Sequence, residues 1–313
     1  MTLTNVRSLF LLVVAVSVGS NVLCSPLLNS LRILDKPDQA INNSRSNHQN
    51  ISSLGLFSVP AEENYSDDLD TDRITGGKYA RKNQFPFMAV VHRLIGEGYV
   101  SQCGGTIISR RWVLTAGHCV AEEPRKFFVL FGVNDKSGMG YNYYQGPGIS
   151  MMTEIGALHP AYKPTINDVG LLYMPRDIPF GQSIKPISLP GCNSMNNDFA
   201  GKFGIVIGWG KDRSTGVGTS SLKYATLPII SNSECVKSWA VTSTKHVCTA
   251  AGYGEDACQG DSGGPLIVYQ NNVPVQIGIV SYGDANCPSN RPGVFSRVTG
   301  YIDWIQQVTE EYY

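Results

Sequence analysis

Two short stretches decide how this chain reads: Thr115-Ala116-Gly117-His118-Cys119 and, nearer the end, Gly260-Asp261-Ser262-Gly263-Gly264-Pro265. Taken singly, the first is a histidine among small residues and the second a glycine-rich turn. Between them lies Asn167-Asp168-Val169-Gly170-Leu171-Leu172, a carboxylate beside an apolar run, and ahead of them Arg73 precedes Ile74-Thr75-Gly76-Gly77. Histidine, aspartate and serine thus follow in that order, and the coincidence of four such motifs in one chain is negligible.

The texture around these motifs is that of an all-β domain. From Ile74 onward, short apolar runs are broken by Gly, Pro and Asn: Met88 to Val91, Thr106 to Ile108, Phe127 to Phe131, Gly204 to Ile207, Pro265 to Tyr269 and Val275 to Val280. Their lengths and turn signals predict strands. Only the last stretch has helical spacing, with Tyr301, Trp304, Ile305, Val308 and Tyr312 on one face. Of the 313 residues 42% are hydrophobic, which is ample for a core and excludes disorder throughout. Charged residues are only 16%, and 33 glycines suit a loop-rich β protein better than a coiled coil. The net charge is zero, so no basic field points to nucleic acid.

Residues 1–73 differ from the rest, holding 5 Lys and Arg against 8 Asp and Glu, where residues 74–313 hold 20 against 17. Arg7 is followed by the apolar run Leu9 to Val18 and then by small and polar residues, the pattern of a secretory signal peptide over residues 1–24, ending between 20 and 25. The run is too short to span a bilayer comfortably, which sets aside an uncleaved anchor and stable membrane association. Residues 25–73 are rich in Asn, Ser and Asp without a sustained period and read as a flexible propeptide. All three N-glycosylation sequons fall there, at Asn42, Asn50 and Asn64. The eight cysteines include no Cys-x-x-Cys pair, so in a secreted chain they indicate disulfides rather than a zinc site.

Residues 74–313 resemble the trypsin and chymotrypsin type of secreted serine proteases, on motifs spread over that whole length. The chain order His, Asp, Ser excludes the subtilisin and α/β-hydrolase orders. The resemblance implies two packed, antiparallel, six-stranded β-barrels with a C-terminal helix, His118 and Asp168 coming from the first barrel and Ser262 from the second. It also implies the roles. Ser262 attacks, His118 takes its proton and returns it to the leaving amine, and Asp168 fixes the histidine tautomer and stabilises the imidazolium. A serine hydroxyl is a weak nucleophile near neutral pH, and an imidazole of ordinary pKa near 6.5 suits the base. The turn at Gly260 would aim the backbone N–H groups of Gly260 and Ser262 at the tetrahedral oxyanion.

Six residues are implied to bind substrate. Asp256, six positions before Ser262, falls at the base of the family's primary specificity pocket, and a buried carboxylate there favours a substrate Arg or Lys. Gly283 and Gly293 leave the slot open. Ala257 replaces a usual serine and removes an acceptor for a lysine ammonium, so Arg is expected over Lys. Ser281 to Gly283 would pair with the substrate backbone as an added strand, Tyr282 replacing the usual Trp.

Cleavage after Arg73 is implied to free the Ile74 α-ammonium to pair with Asp261 and shape the oxyanion turn, making the uncut chain an inactive precursor. Activity is then expected to follow a bell-shaped pH profile, falling in acid as His118 protonates and in base as the paired amine passes its raised pKa. Asp67, Asp68, Asp70 and Asp72 before the cut resemble acidic activation segments and are expected to slow self-activation.

Disulfides Cys103–Cys119, Cys235–Cys248 and Cys258–Cys287 are implied by the family rather than by spacing. If Cys24 survives signal cleavage it could bridge to Cys192; otherwise Cys192 is a free or intermolecular thiol. A further family bridge is missing as a pair, with Gly204 and Val268 at its places. Val133 stands where calcium-binding relatives carry a glutamate, so neither metal nor cofactor is expected. The expected partners are protein substrates, an activating protease and serine protease inhibitors. A propeptide of nearly fifty residues favours a cascade role over digestion. The reading from another class is a silent homologue that binds without catalysis, and the intact motifs argue against it.

Overall fold

The computed structural model describes residues 77–213 and 216–311. The stretches expected to be a signal peptide and a propeptide, with the three sequons, Arg73 and Ile74, and the side chain of Cys192 lie outside the described residues.

The apolar runs form antiparallel strands. After a two-residue strand β1 (Lys78–Tyr79), the first sheet contains β2 (Met88–Gly96), β3 (Tyr99–Ile107), β4 (Trp112–Thr115), β5 (Phe127–Phe131), β6 (Ile149–Thr153), β7 (Gly156–Leu158) and β8 (Gly170–Tyr173). Its order is β6-β5-β2-β3-β4-β8-β7. The terminal members β6 and β7 are separated only by Glu154 and Ile155, so the seven segments form a six-stranded barrel whose closing strand is broken. Across the break, Tyr173 N–H donates to Ile155 O (2.9 Å) and Thr153 Oγ1 to Tyr173 O (2.6 Å).

The second barrel comprises β9 (Phe203–Gly208), β10 (Lys223–Ile230), β11 (His246–Thr249), β12 (Pro265–Gln270), β13 (Val273–Tyr282) and β14 (Gly293–Arg297). Pairing of β9 with both β10 and β12 closes it, and β1 adds a seventh member along β10. Strand β10 alternates buried and partly exposed residues, as a strand with one face on a core must. Phe199, Val206, Leu227, Val247, Leu266 and Phe295 fill this barrel's interior.

Between the barrels, Phe85, Phe87, Met88 and Leu130 pack with Ile207, Trp209, Leu222 and Ile267. Each large apolar side chain so buried contributes on the order of 1.5 to 3 kcal/mol, which fixes the two barrels face to face. Short helices α1 (Gly117–Val120) and α2 (Asn232–Cys235) interrupt the strands, and α3 (Ile302–Glu310) ends the described chain. Asp303 in its first turn complements the helix dipole, while Tyr301, Ile302 and Ile305 are buried and Trp304 and Val308 half-buried. Tyr301 precedes the helix instead of lying in it, and Tyr312 is outside the described residues.

Disulfides join Cys103 to Cys119, Cys235 to Cys248 and Cys258 to Cys287. The first ties β3 to α1, which carries His118; the third holds Cys258, which lines the cavity described next.

Candidate active site

The site forms where the barrels meet, from a glycine-rich turn of the second pressed onto the first. Gly104 N–H donates to Ser262 O (2.8 Å) across that seam. Gly263 has a left-handed backbone (φ 79°), and a Cβ there would collide with Thr115 Oγ1 and the Gly104 carbonyl. Only glycine satisfies both the dihedral and the approach.

Asp168 is 2% exposed and accepts three hydrogen bonds: from His118 N–H (2.8 Å), from His118 Nδ1 (2.8 Å) and from Ser281 Oγ (2.6 Å). Burial alone would push its carboxyl up, but the bonds from His118 and Ser281 and the attraction of His118 hold it below the ordinary carboxylate value. An ionised carboxylate only accepts, so the His118 proton resides on Nδ1 and Nε2 is left as the acceptor. Ser296 Oγ donates to Asp168 O (2.7 Å), and His246 Nε2 donates to Thr165 O (3.0 Å). Lys245 Nζ reaches Asn167 Oδ1 (3.2 Å). Second-barrel groups thus grip the loop that delivers Asp168, including Thr165, whose φ of 67° is costly for a β-branched residue.

Ser262 lines a cavity of about 260 Å³ with Asp256, Ser281, Tyr282, Gly283 and Gly293. No hydrogen bond joins Ser262 Oγ to His118 among the described residues, and such bonds commonly tighten only when substrate binds. The N–H groups of Gly260 and Ser262 have no partner among the described residues either, while the carbonyls of residues 259–262 are all engaged. Asp256 lies at the cavity wall, where Ser289 N–H donates to it (3.3 Å) and burial raises its carboxyl to about 6, partly offset by bonds from Ser289 and Ala257. A Cβ on Gly293 would stand 3.4 Å from Asp256 Oδ1, whereas one on Gly283 would meet open space. Ala257 lines the same cavity while packing against the second-barrel core. Tyr282 forms an aromatic wall, its ring edge-on to Trp239 (5.5 Å) and His246 (5.8 Å).

Asp261 is 1% exposed, accepting from Gly210 N–H (2.7 Å) and Cys258 N–H (2.9 Å). A Cβ on Gly208 or Gly210 would collide with its carboxylate. Burial raises the Asp261 carboxyl to about 6 against the pull of those two bonds, the Asp256 charge adding to the rise. No basic side chain among the described residues pairs with it.

The structure therefore brings His118, Asp168 and Ser281 into direct contact and sets Ser262, Asp256, Ala257, Tyr282, Gly283 and Gly293 around one cavity. Ser296 and His246 escaped the sequence reading, because a serine and a histidine within ordinary strands carry no local signal.

The family model for trypsin matches residues 74–305. The venom serine protease Bi-VSP of Bombus ignitus is 36% identical over 248 residues, covering 74% of this chain and 67% of that protein. Melanization protease 1 of Drosophila melanogaster is 34% identical over 262 residues, covering 75% of this chain and 65% of that protein. Among solved structures, HL collagenase superposes with a TM-score of 0.66 at 32% identity, covering 75% of this chain and 97% of that one. With the barrels, the family match and these relatives in agreement, the chain belongs to the trypsin family and is a trypsin-like serine endopeptidase.

Proposed function

We propose that this protease is made as a secreted precursor, with a signal peptide over residues 1–24 and a propeptide over 25–73, and that cleavage after Arg73 activates it to cut peptide bonds following Arg and, less well, Lys. Ser262 is the nucleophile, His118 the base and then the acid, and Asp168 the group that holds His118 in its reactive tautomer. The backbone N–H groups of Gly260 and Ser262 receive the oxyanion. The observation that carries this reading is one cavity with Ser262 and Asp256 both in its lining, where Ser281 of the same lining donates to the buried aspartate that fixes His118 through Nδ1.

Arginine specificity follows from charge. The carboxyl of Asp256 ionises against burial, and a planar guanidinium can meet it with two hydrogen bonds, while Ala257 offers a lysine ammonium no hydroxyl. Ser281 to Gly283 offers a strand to the substrate backbone. Activation supplies Asp261 with the cation that no described side chain provides, and neutralising that carboxylate secures the turn bearing the oxyanion donors. A propeptide of this length, together with a relative named a melanization protease, supports a role in a proteolytic cascade, with protein substrates, an activating protease and inhibitors as partners.

The test is a peptide library digested by the protein cut after Arg73. Cleavage predominantly after Arg, absent from a Ser262→Ala variant and abolished for basic residues in Asp256→Asn, is the expected result. Cleavage after apolar residues would refute the specificity, and undiminished activity in Ser262→Ala would refute the mechanism.

A further inference from the structure

Gln102 and His92 sit opposite one another on β3 and β2 of the first barrel, a registered pair next to Cys103. Neither belongs to the machinery described above, yet Gln102 reaches across the seam. Its Nε2 donates to Trp209 O (3.2 Å) and to Gly260 O (3.4 Å), both in the second barrel. Its Oε1 accepts from His92 Nε2 (3.4 Å). The amide therefore uses both its protons and its oxygen, and its orientation is determined: reversed, it would set an oxygen against two carbonyl oxygens and an N–H against the His92 N–H.

His92 is suited to hold that orientation. It is 7% exposed, and burial lowers its imidazole to about 4, so the ring stays neutral with its proton on Nε2. Its Nδ1 is buried and has no hydrogen-bond partner among the described residues, so none of them competes on that side for the tautomer.

The contact falls on the turn that matters for the reaction. Gly260 has φ 96°, and a Cβ there would lie 3.1 Å from Gln102 Nε2 and 3.2 Å from Gly210 Cα, so the turn is cradled between the two. The peptide before Gly260 is anchored by Lys211 N–H on Gln259 O (2.8 Å), a backbone bond within the second barrel. The peptide after it is anchored through Gly260 O by Gln102.

We propose that Gln102, oriented by His92, is a positioning residue that braces the Gly260 peptide from the opposite barrel and so aims the oxyanion donors. The inference rests on the reading of Gly260 and Ser262 as those donors. Gln102 touches neither substrate nor reacting atoms; it acts through the turn.

The test compares the full chain, cut after Arg73, with Gln102→Met, Gln102→Glu and His92→Phe. Methionine keeps the stem and volume but loses the two donors. Three quantities are read: kcat and KM on a peptidyl-Arg amide, the affinity of the matching peptidyl aldehyde, whose adduct oxygen occupies the oxyanion position, and the affinity of benzamidine, which fills only the Asp256 cavity. In Gln102→Met, kcat is expected to fall about 10- to 100-fold, less than or equal to the loss of a whole donor. KM should stay within about twofold, the aldehyde should weaken by the same factor as kcat, and benzamidine should be unaffected. Gln102→Glu, which sets carboxylate oxygens against the two carbonyls, should lose more, and His92→Phe less.

A Gln102→Met protein with parental kcat and aldehyde affinity overturns the inference, as does one whose benzamidine affinity falls in step with kcat. Should Gln102→Met fail to fold, His92→Phe carries the same test, and parental kcat and aldehyde affinity there would overturn it. A parent that hydrolyses nothing and ignores the aldehyde overturns the reading of the donors as well; a parent that the aldehyde inhibits, beside an unaffected Gln102→Met, overturns this inference alone.

Discussion

Binding of an amidinium to the Asp256 cavity should depend on pH in a way that the geometry specifies. Burial raises the Asp256 carboxyl to about 6 from an ordinary 3.8, so charging the empty cavity costs about 3 kcal/mol at ~1.36 kcal/mol per pKa unit. A cation binds the ionised form, so affinity rises with pH through that value and levels off above it. At pH 7.5 nearly every site is charged, while at pH 5 about one in eleven is, which predicts benzamidine binding about tenfold weaker at pH 5. The perturbation is Asp256→Asn. Removing one partner of a buried charge pair costs on the order of 2 to 5 kcal/mol, so affinity should fall by at least about 30-fold at pH 7.5 and lose most of its slope. Titration calorimetry from pH 5 to 8, on cut protein carrying Ser262→Ala, measures both, and a slope remaining in Asp256→Asn reports other groups. At pH 6 the parent should also release about half a proton per site on binding, visible as an enthalpy that varies with the buffer. A flat affinity in the parent, or parental affinity in Asp256→Asn, would refute the reasoning.

Other perturbations address neighbouring parts of the site. Asp168→Asn should keep the fold but lower kcat about 10⁴-fold, because an amide in that place favours the wrong His118 tautomer; a loss under about tenfold in steady-state kinetics would contradict the role. Ser281→Ala removes a 2.6 Å donor to Asp168. It should cost about 1 kcal/mol and a several-fold loss of kcat/KM, with the fold intact by circular dichroism. Gly208→Ala places a methyl against the Asp261 carboxylate. It should destabilise the protein by about 1 to 3 kcal/mol in urea denaturation and prevent activation after the cut; an active, equally stable variant would show that the carboxylate need not sit there.

The fold and the motifs that hold the candidate catalytic residues were legible because their signals are local. His118, Asp168 and Ser262 each sit in a short motif, the predicted run Phe127 to Phe131 coincides with β5, and Pro265 to Tyr269 covers all of β12 but Gln270. What the sequence could not show is what comes together across the seam. Ser296 and His246, which grip residues 165 to 168, and Gln102, which reaches Gly260, are single polar residues within strands, and their partners lie 128, 81 and 158 residues away along the chain. The broken closing strand at Glu154 and Ile155 was equally hidden, since neither residue is a turn signal. Glycines gained meaning only from space: Gly208, outside every motif, is needed because Asp261 occupies the volume of its missing side chain.

The account turns on Ser262 becoming reactive once the chain ahead of Ile74 is cut. Reacting the intact chain and the cut chain with a fluorophosphonate, then mapping the adduct by mass spectrometry, tests this most directly. The account predicts an adduct on Ser262 in the cut chain alone; an equal rate in the intact chain, or an adduct elsewhere with Ser262 untouched, would contradict it.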